Sequence, residues 1–265
     1  MYCELSESGY EMKTAIITVA GISSRFNEGV PENKKELKAI YTENSARNTL
    51  LYHLLLKCSY MDKIIIVGGY KFEALEAFCR TELAHDFPQA ELLKNNHYKD
   101  LSSGYSLFLG IRKAMEYKSD EVLFAEGDLD IDNDSFDSII RSEKSVLTYT
   151  GEPIYANRAV VLYRDGNGRY KYAFNSAHGL LTIDEPFSCI LNSGQIWKFV
   201  NADALKSAND EFEKSEIDGT NLRIIQRYIE KVSADSIELI KFNHWVNCNT
   251  REDYRNILNY WRNKK

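Results

Sequence analysis

The feature that most constrains the fold is an alternation of short apolar runs with helical patterns over the first half of the chain. The apolar runs TAIITVA, KIIIVGGY and EVLFAEGD have the length and the β-branched content of buried strands. Helical periodicity follows each of them, in TLLYHLLLKC, FEALEAFCRTEL, GYSLFLGIRKAMEY and SFDSIIRSE. Strands that alternate with helices form a parallel sheet, so we predict an α/β fold with a mostly parallel sheet covered by helices on both faces.

The second half of the chain begins with a different pattern. Residues 145–200 are rich in aromatic and β-branched residues around turn signals such as Asp165-Gly166-Asn167-Gly168, which predicts antiparallel strands and a hairpin. The end of the chain returns to α/β, and Thr250 with Asp253 forms a capping box before a last helix. We expect an N-terminal extension, residues 1–12, and a single domain, residues 13–265, in which residues 145–200 are a small β-rich elaboration that binds an acceptor.

Charge and cysteine content exclude several classes of protein. The net charge of −6 and the pI near 5.5 argue against a general nucleic-acid or membrane-surface binder, which needs a basic field. Five cysteines include no CxxC pair and no histidine at ligand spacing, a pattern typical of a reducing compartment. No signal-peptide or membrane-spanning pattern is visible, so we expect a cytoplasmic protein.

A Gly/Ser-rich loop follows the first apolar run. The backbone amides of residues 21–24 form a possible anion-binding nest, Arg25 adds a guanidinium, and Lys34 and Lys35 follow about ten positions later. The spacing matches neither a P-loop nor a dinucleotide fingerprint. These residues indicate either a polyphosphate site or a solvated turn with surface lysines.

An acidic segment, FAEGDLDIDNDSF, follows the apolar run EVLF. Asp128 and Asp130 lie nearest the end of that strand, where carboxylates can hold Mg²⁺. For Asp132 and Asp134 we favour a structural role, because acidic residues stabilise the start of a helix such as SFDSIIRSE.

Together, these two sites resemble the nucleotidyltransferases that act on sugar phosphates and on phosphocholine. AGISSR resembles the AAGxxSR-like loop of that superfamily, and KKEL stands where the family typically has Pro-Lys-Ala-Leu. Further similar segments, in the same order, are IIIVGGY, NNHYKDLSSGYSLFLG, NSGQIWKF and VNCNTREDYRNIL. The chain looks most like the 2-aminoethylphosphonate cytidylyltransferases, and the resemblance implies a Rossmann-like fold, CTP as substrate and Mg²⁺ as cofactor.

The resemblance also assigns site residues. Lys35 resembles the lysine that contacts the triphosphate, and Asp128 resembles the first metal carboxylate. Lys34 replaces the family proline, and Asn249 replaces the aspartate that is the second metal ligand in phosphocholine enzymes, which weakens the expected metal site. The residues expected to bind the nucleotide are Ala20, Gly21, Ser23, Ser24, Gly68, Gly69, Ser102, Ser103 and Gly104.

The implied reaction is in-line attack by a phosphonate or phosphate oxygen on the α-phosphorus of CTP, with release of pyrophosphate. Because the nucleophile is already anionic at neutral pH, no strong general base is needed. Catalysis then consists of alignment and charge stabilisation by Mg²⁺, Arg25 and Lys35, consistent with the lack of a convincing catalytic His, Ser or Cys.

The acceptor depends on a few polar or aromatic contacts. A quaternary ammonium needs aromatic faces, whereas a primary amine donates hydrogen bonds to acids and carbonyls. Trp197 is as compatible with the core as with a ligand wall, and a loop histidine such as His178 is more often structural. We favour 2-aminoethylphosphonate, with phosphocholine as the alternative. The acceptor candidates are Asp130, His178, Glu185, Asn192 and Trp197.

Three other functions are compatible with parts of the sequence. The chain could be a sugar-phosphate nucleotidyltransferase, or a nucleotide-sugar glycosyltransferase in which Asp128-Leu129-Asp130 is a DxD motif. It could also be a nucleotide sensor without catalysis, to which the Asn249 departure gives some support. The sequence does not determine the oligomeric state.

Overall fold

The first half of the chain alternates strands and helices as predicted. A computed structural model describes residues 11–156, 159–174 and 180–263. The elements in this half are β1 (Lys13–Val19), α1 (Leu50–Lys57), β2 (Lys63–Gly68), α2 (Phe72–Phe78), β3 (Ala90–Lys94), α3 (Ser103–Glu116), β4 (Glu121–Glu126), β5 (Leu129–Ile131) and α4 (Asn133–Arg141).

The second half contains the predicted antiparallel strands and then returns to helices. Its elements are β6 (Ser145–Thr150), β7 (Val161–Asp165), β8 (Tyr170–Tyr172), β9 (Phe187–Phe199), α5 (Ala202–Ser215), α6 (Asn221–Lys231), β10 (Ile237–Lys241), β11 (Trp245–Asn247) and α7 (Arg251–Asn263). The hairpin between β7 and β8 contains the predicted turn, residues 165–168.

One sheet organises the described part of the chain, with the strand order β10-β6-β9-β4-β1-β2-β3; β7 pairs with β9, and β8 pairs with β7. β1 pairs in parallel with both β2 and β4, and β2 pairs in parallel with β3. β9 is antiparallel to β4 and β6. In the register of the sheet Thr18 lies opposite Glu126, so the carboxyl ends of β1 and β4 meet at the same edge.

Helices cover both faces of this sheet, which explains why its inner strands β1, β2 and β4 are nearly continuously apolar. Along β1, Ala15 and Ile17 point into one hydrophobic cluster and Ile16 into another, and all three are fully buried. α1 contributes to the first cluster and α3, α5 and α6 to the second. The predicted fold class is therefore confirmed: a mixed, mostly parallel α/β sheet between two helical layers.

Residues 145–200 contribute to the main sheet as well as to an antiparallel extension. β6 and the end of β9 lie inside the main sheet, whereas β7 and β8 extend from the first half of β9. A separate two-stranded antiparallel sheet joins β5 to β11 and so brings the end of the chain next to Asp128.

The predicted capping box of the last helix is confirmed. The Thr250 amide donates to Asp253 Oδ2 at 2.8 Å, and the Asp253 amide donates to Thr250 Oγ1 at 3.1 Å. Among the described helices, none is long and apolar enough to cross a membrane.

Candidate active site

A cleft of about 250 Å³ lies at the carboxyl ends of β1 and β4, the position where α/β sheets bind ligands. The loop after β1 forms one wall, the start of α3 forms another, and the acidic end of β4 forms the floor. The predicted residues that line it are Ala20, Gly21, Ser23, Ser102, Ser103 and Asp128. Three segments that are distant in sequence thus meet at this cleft.

The loop after β1 is held open by a buried asparagine. Ser23 has a left-handed backbone with φ of 54°, and its carbonyl accepts a hydrogen bond from Asn27 Nδ2 at 3.0 Å. The Asn27 side chain also donates to Glu36 O at 2.8 Å and accepts from the Glu36 amide at 3.0 Å. Asn27 therefore fixes both ends of the loop, and Gly21 is exposed with open space where a Cβ would lie.

The start of α3 presents a helix N-terminus to the cleft. Ser102 is its N-cap residue, and Ser103 Oγ accepts a hydrogen bond from the Asn221 amide at 3.3 Å. The first amides of a helix favour electron-rich groups, so this wall suits the polar atoms of a nucleotide.

Lys38 is the lysine that the structure brings into the cleft. Its Nζ lies 2.6 Å from Asp128 Oδ2 and 3.1 Å from Cys248 O. The sequence pattern points only to Lys34 and Lys35 at the phosphates. The available signal was a third lysine in KKELK, but its partner Asp128 is ninety positions away and is brought near only by the β1–β4 pairing.

Lys35 lies outside the lining of the cleft. Its ammonium forms an ion pair with Glu32 Oε2 at 2.6 Å, and this hydrogen-bonded contact raises the Lys35 pKa. Lys34 is exposed at the end of a short 3₁₀ helix, and Arg25 and Ser24 are exposed on the loop. The predicted roles of Lys35 and Arg25 at the phosphates stay predictions, since both require the side chains to turn towards the cleft.

Glu126 is a second carboxyl group of the cleft that the sequence analysis did not assign. It lines the cleft, and its Oε1 accepts a hydrogen bond from Asn221 Nδ2 at 2.7 Å. Burial, followed by repulsion from Asp128, raises the Glu126 pKa to about 7. The acidic segment FAEGDLDIDNDSF contains this residue, but only the strand pairing brings it to the cleft.

Two buried side-chain oxygens without a hydrogen-bond donor among the described residues lie on paired segments of the chain, and both are oxygens of a kind that divalent cations accept. Asp128 Oδ1 and Asn247 Oδ1 are buried and accept no hydrogen bond from the described residues. The Cys248 amide donates to Asp128 O at 2.8 Å, which places the two segments side by side. Carboxylate and amide oxygens are ligands that Mg²⁺ accepts, so the donor set fits. Asn249 lies two residues beyond Asn247, and its Nδ2 is 3.4 Å from Asn247 O.

The protein ligands for such a cation are few. No group of three or more His, Cys, Asp or Glu side chains in the described ranges forms a metal-binding cluster. Phosphate oxygens would have to complete the coordination of Mg²⁺ here, as they do in many nucleotide sites. Cys248 itself is an inert neighbour, because burial raises its thiol pKa to about 12.

Three predicted glycines prove to serve packing. A Cβ at Gly68 would lie 2.4 Å from Leu75 Cδ2, and one at Gly104 would lie 2.4 Å from Gly219 O. Gly68 thus makes room for α2 and Gly104 for the segment before α6, while their assignment to the nucleotide stays a prediction. A Cβ at Gly69 would lie 2.6 Å from the Tyr98 Cβ. Gly69 therefore leaves room for Tyr98, which lines the cleft.

Two predicted acceptor residues are enclosed by the protein. Asp130 accepts hydrogen bonds from Trp261 Nε1 at 2.8 Å and bonds His244 Nε2 at 2.7 Å, and it is 3% exposed. Trp197 is fully buried, stacks on Phe124 and donates to the Tyr172 hydroxyl at 2.6 Å. Both assignments to the acceptor are therefore corrected: these side chains stabilise the fold.

Two further acceptor candidates, Glu185 and Asn192, lie away from the lining of the cleft. Glu185 forms an ion pair with Lys171 at 2.8 Å and accepts a hydrogen bond from the Tyr163 hydroxyl at 2.6 Å. Asn192 is buried on β9, where its backbone pairs with Thr150 and Val161. His178 lies outside the described residues.

Solved nucleotidyltransferase structures superpose on almost the whole chain. CTP:phosphocholine cytidylyltransferase from Streptococcus pneumoniae superposes with a TM-score of 0.61 at 17% identity, over 93% of this chain and 97% of that one. Inositol-1-phosphate CTP transferase from T. maritima gives 0.64 at 16% identity, over 92% of each chain. A UDP-glucose pyrophosphorylase gives 0.64 at 10% identity, over 96% of this chain and all (100%) of that one. No curated protein sequence matches the chain.

The strand order and these superpositions define a nucleotidyltransferase-like fold that resembles CTP-dependent cytidylyltransferases. The chain itself belongs to the family described as Domain of unknown function (DUF6564), whose profile matches residues 34–261. The match covers most of the cleft, including Lys38, Glu126 and Asp128, and leaves out the loop after β1.

Proposed function

We propose that the protein transfers CMP from CTP to a small amino-phosphonate, 2-aminoethylphosphonate, and releases pyrophosphate. The observation that carries the proposal is the cleft itself: an open Gly/Ser loop, a helix N-terminus and the Lys38–Asp128 pair converge at one edge of a nucleotidyltransferase-like sheet. Each of these parts has a role in holding a nucleoside triphosphate.

Different residues of the cleft would contact the phosphates, the base and the metal. The amides after Gly21 meet phosphate oxygens, and Ser102 with Ser103 meets the pyrimidine ring. Asp128, together with the amide oxygens of Asn247 or Asn249, would hold Mg²⁺, which would offset charge on the triphosphate when bound. The protein then aligns an acceptor that is already anionic, so no general base is required.

The preference for a primary amine over a quaternary ammonium has support at Trp197. A site for a quaternary ammonium needs an accessible aromatic face; Trp197 is fully buried in the sheet and offers none, which leaves Tyr98 as the aromatic side chain among the described residues that line the cleft. The Glu185 carboxylate could accept hydrogen bonds from a primary amine, but it is paired with Lys171 and Tyr163 and lies outside the lining of the cleft, so an amine would have to displace Lys171 there.

The glycosyltransferase alternative loses its sequence support. Asp130, the second acid of the apparent DxD motif, has both carboxylate oxygens bonded, to Trp261 and His244. A DxD motif needs both acids at the metal and nucleotide, which the buried Asp130 does not provide.

The test is pyrophosphate release by the purified full-length chain with Mg²⁺. Each of the four nucleoside triphosphates is combined with 2-aminoethylphosphonate, phosphocholine, phosphoethanolamine and sugar phosphates. We expect CTP with 2-aminoethylphosphonate to give the highest kcat/KM. A preference for a sugar phosphate, or turnover of a UDP-sugar without pyrophosphate release from CTP, contradicts the proposal, and CTP binding without turnover of any acceptor indicates a sensor.

Variants of the neighbouring lysines test the phosphate contact. If Lys35 reaches the triphosphate, Lys35→Ala lowers kcat by orders of magnitude and Lys34→Ala, its exposed neighbour, does not. Equal rates in the two variants would remove Lys35 from this role.

A further inference from the structure

Lys38 contacts three other segments of the chain at the cleft: the loop after β1, the end of β4 and the segment after β11. Its ammonium group contacts Asp128 Oδ2 at 2.6 Å and Cys248 O at 3.1 Å, and its backbone amide donates to Ser23 Oγ at 3.4 Å. Its side chain is 19% exposed, so these contacts hold it in the site and not at the surface. An ammonium has three N–H donors, of which Asp128 and Cys248 use two.

The charge of the cleft is low for a divalent cation site. Among the described residues that line it, Glu126 and Asp128 are the acids and Lys38 is the base. The cleft therefore carries at most one net negative charge, and Asn247 and Asn249 add oxygens without charge. The affinity of oxygen sites for divalent cations depends on the number of charged ligands.

We propose that Lys38 makes cation binding conditional on the nucleotide: its ammonium group opposes a divalent cation at Asp128 until triphosphate oxygens occupy the cleft. This inference rests on the proposed function. The triphosphate brings several negative charges, attracts both Lys38 and the cation, and completes the coordination that the protein lacks. Lys38 thus acts as a positioning residue between the metal carboxylate and the phosphates.

The experiment measures Mn²⁺ binding directly, by electron paramagnetic resonance of unbound Mn²⁺, in the full-length protein with and without CTP. Without nucleotide, Lys38→Gln keeps a polar side chain but removes the charge, and we expect it to bind Mn²⁺ about tenfold tighter than the wild type, or about 1.4 kcal/mol. Lys38→Arg, which keeps the charge, is expected to bind as weakly as the wild type. With CTP the order reverses, and Lys38→Gln binds Mn²⁺ less tightly than the wild type.

Lys113→Ala is the matched control. Lys113 is similarly enclosed, with 25% of its side chain exposed, and its ammonium pairs with Glu91 at 3.3 Å and Glu116 at 3.1 Å on the outer face of α3. Its loss removes the same charge from the protein but not from the cleft, so Mn²⁺ affinity is expected to stay at the wild-type value. A cooperative thermal unfolding transition shows that each variant is folded. If Lys38→Gln does not fold, Lys38→Met replaces it as the variant that removes the charge.

Equal Mn²⁺ affinity of the nucleotide-free wild type and Lys38→Gln, with both proteins folded, overturns the inference. So does a tighter site in Lys113→Ala, since that would show an effect of overall charge. Failure of the proposed function has a different signature: the wild type releases no pyrophosphate with any nucleotide and acceptor, whatever the Mn²⁺ affinities are.

Discussion

Asp132 links the start of α4 to the turn that leads into β11, and its removal should cost much of the stability of the fold. Its Oδ1 accepts the Ser135 amide at 2.8 Å, and its Oδ2 accepts the amides of Asn243 at 3.1 Å and His244 at 3.0 Å. The residue is 6% exposed, so Asp132→Ala leaves the Ser135 and His244 amides without this acceptor, while the Asn243 amide keeps its second acceptor, Ser135 Oγ, at 3.2 Å.

The expected loss follows from these three contacts. Loss of an N-cap costs about 1 kcal/mol, and each hydrogen bond to a charged group contributes roughly 1.5 kcal/mol or more. Asp132→Ala should therefore lower the free energy of unfolding by about 3 to 5 kcal/mol, and Asp132→Asn by somewhat less because its amide oxygen can still cap α4. Asp134→Ala is the control: Asp134 lies exposed in the same first turn, and we expect a loss of under about 1 kcal/mol.

The contribution of Asp132 should also depend on pH. Burial raises its pKa, but the hydrogen bonds from His244, Ser135 and Asn243 outweigh burial and lower the pKa below its usual range. A lowered folded pKa means that the stabilisation is present above the unfolded pKa of about 3.9 and is lost as the pH falls through the folded value. The difference between wild type and Asp132→Asn should thus shrink below about pH 4.

Urea unfolding of the three variants, followed by circular dichroism, measures these differences. The reasoning is refuted if Asp132→Ala and Asp134→Ala unfold within about 1 kcal/mol of each other at pH 7, because the buried contacts would then contribute nothing.

Three further predictions separate catalysis from packing. Asp128→Ala should lower kcat/KM at least about 100-fold while circular dichroism shows a folded protein; a rate within tenfold of wild type would contradict its role at the metal. Trp197→Ala should lower the free energy of unfolding by about 3 to 5 kcal/mol in urea, as expected for a buried aromatic; a destabilisation below about 1 kcal/mol would contradict its place in the core. Gly104→Ala should destabilise by about 1 to 3 kcal/mol because a Cβ meets a backbone carbonyl, whereas Gly21→Ala, with open space, should leave the thermal midpoint unchanged; equal midpoints would argue against this packing.

The sequence predicted the fold wherever burial sets the pattern. β1, β2 and β4 are buried on both faces, so their apolar runs were unambiguous. The capping box of α7 and the cap at Asp132 also followed from local residue types. Where the hydrophobic pattern is weak, the elements were not predicted. β3 is a half-exposed edge strand, and α5 has a mostly polar sequence, ADALKSANDEFEKS.

The site was predictable as a set of loops but not as a set of contacts. Lys38 and Glu126 could not be singled out because each gains its role from Asp128 and from the order of strands in the sheet. The strand register likewise determines that Trp197 is buried, since it places this residue opposite Phe124 of β4. The residues next to each of these positions in the sequence do not show which distant residue it contacts.

In the proposed reaction, the cleft joins CMP to an amino-phosphonate. The most direct measurement is phosphorus NMR of the wild-type protein with CTP, Mg²⁺ and 2-aminoethylphosphonate. We predict that the phosphonate and α-phosphorus signals are replaced by two mutually coupled resonances of a phosphonate–phosphate anhydride, with one pyrophosphate per product. Unchanged CTP and phosphonate signals, or CTP breakdown without the coupled pair, would contradict the account.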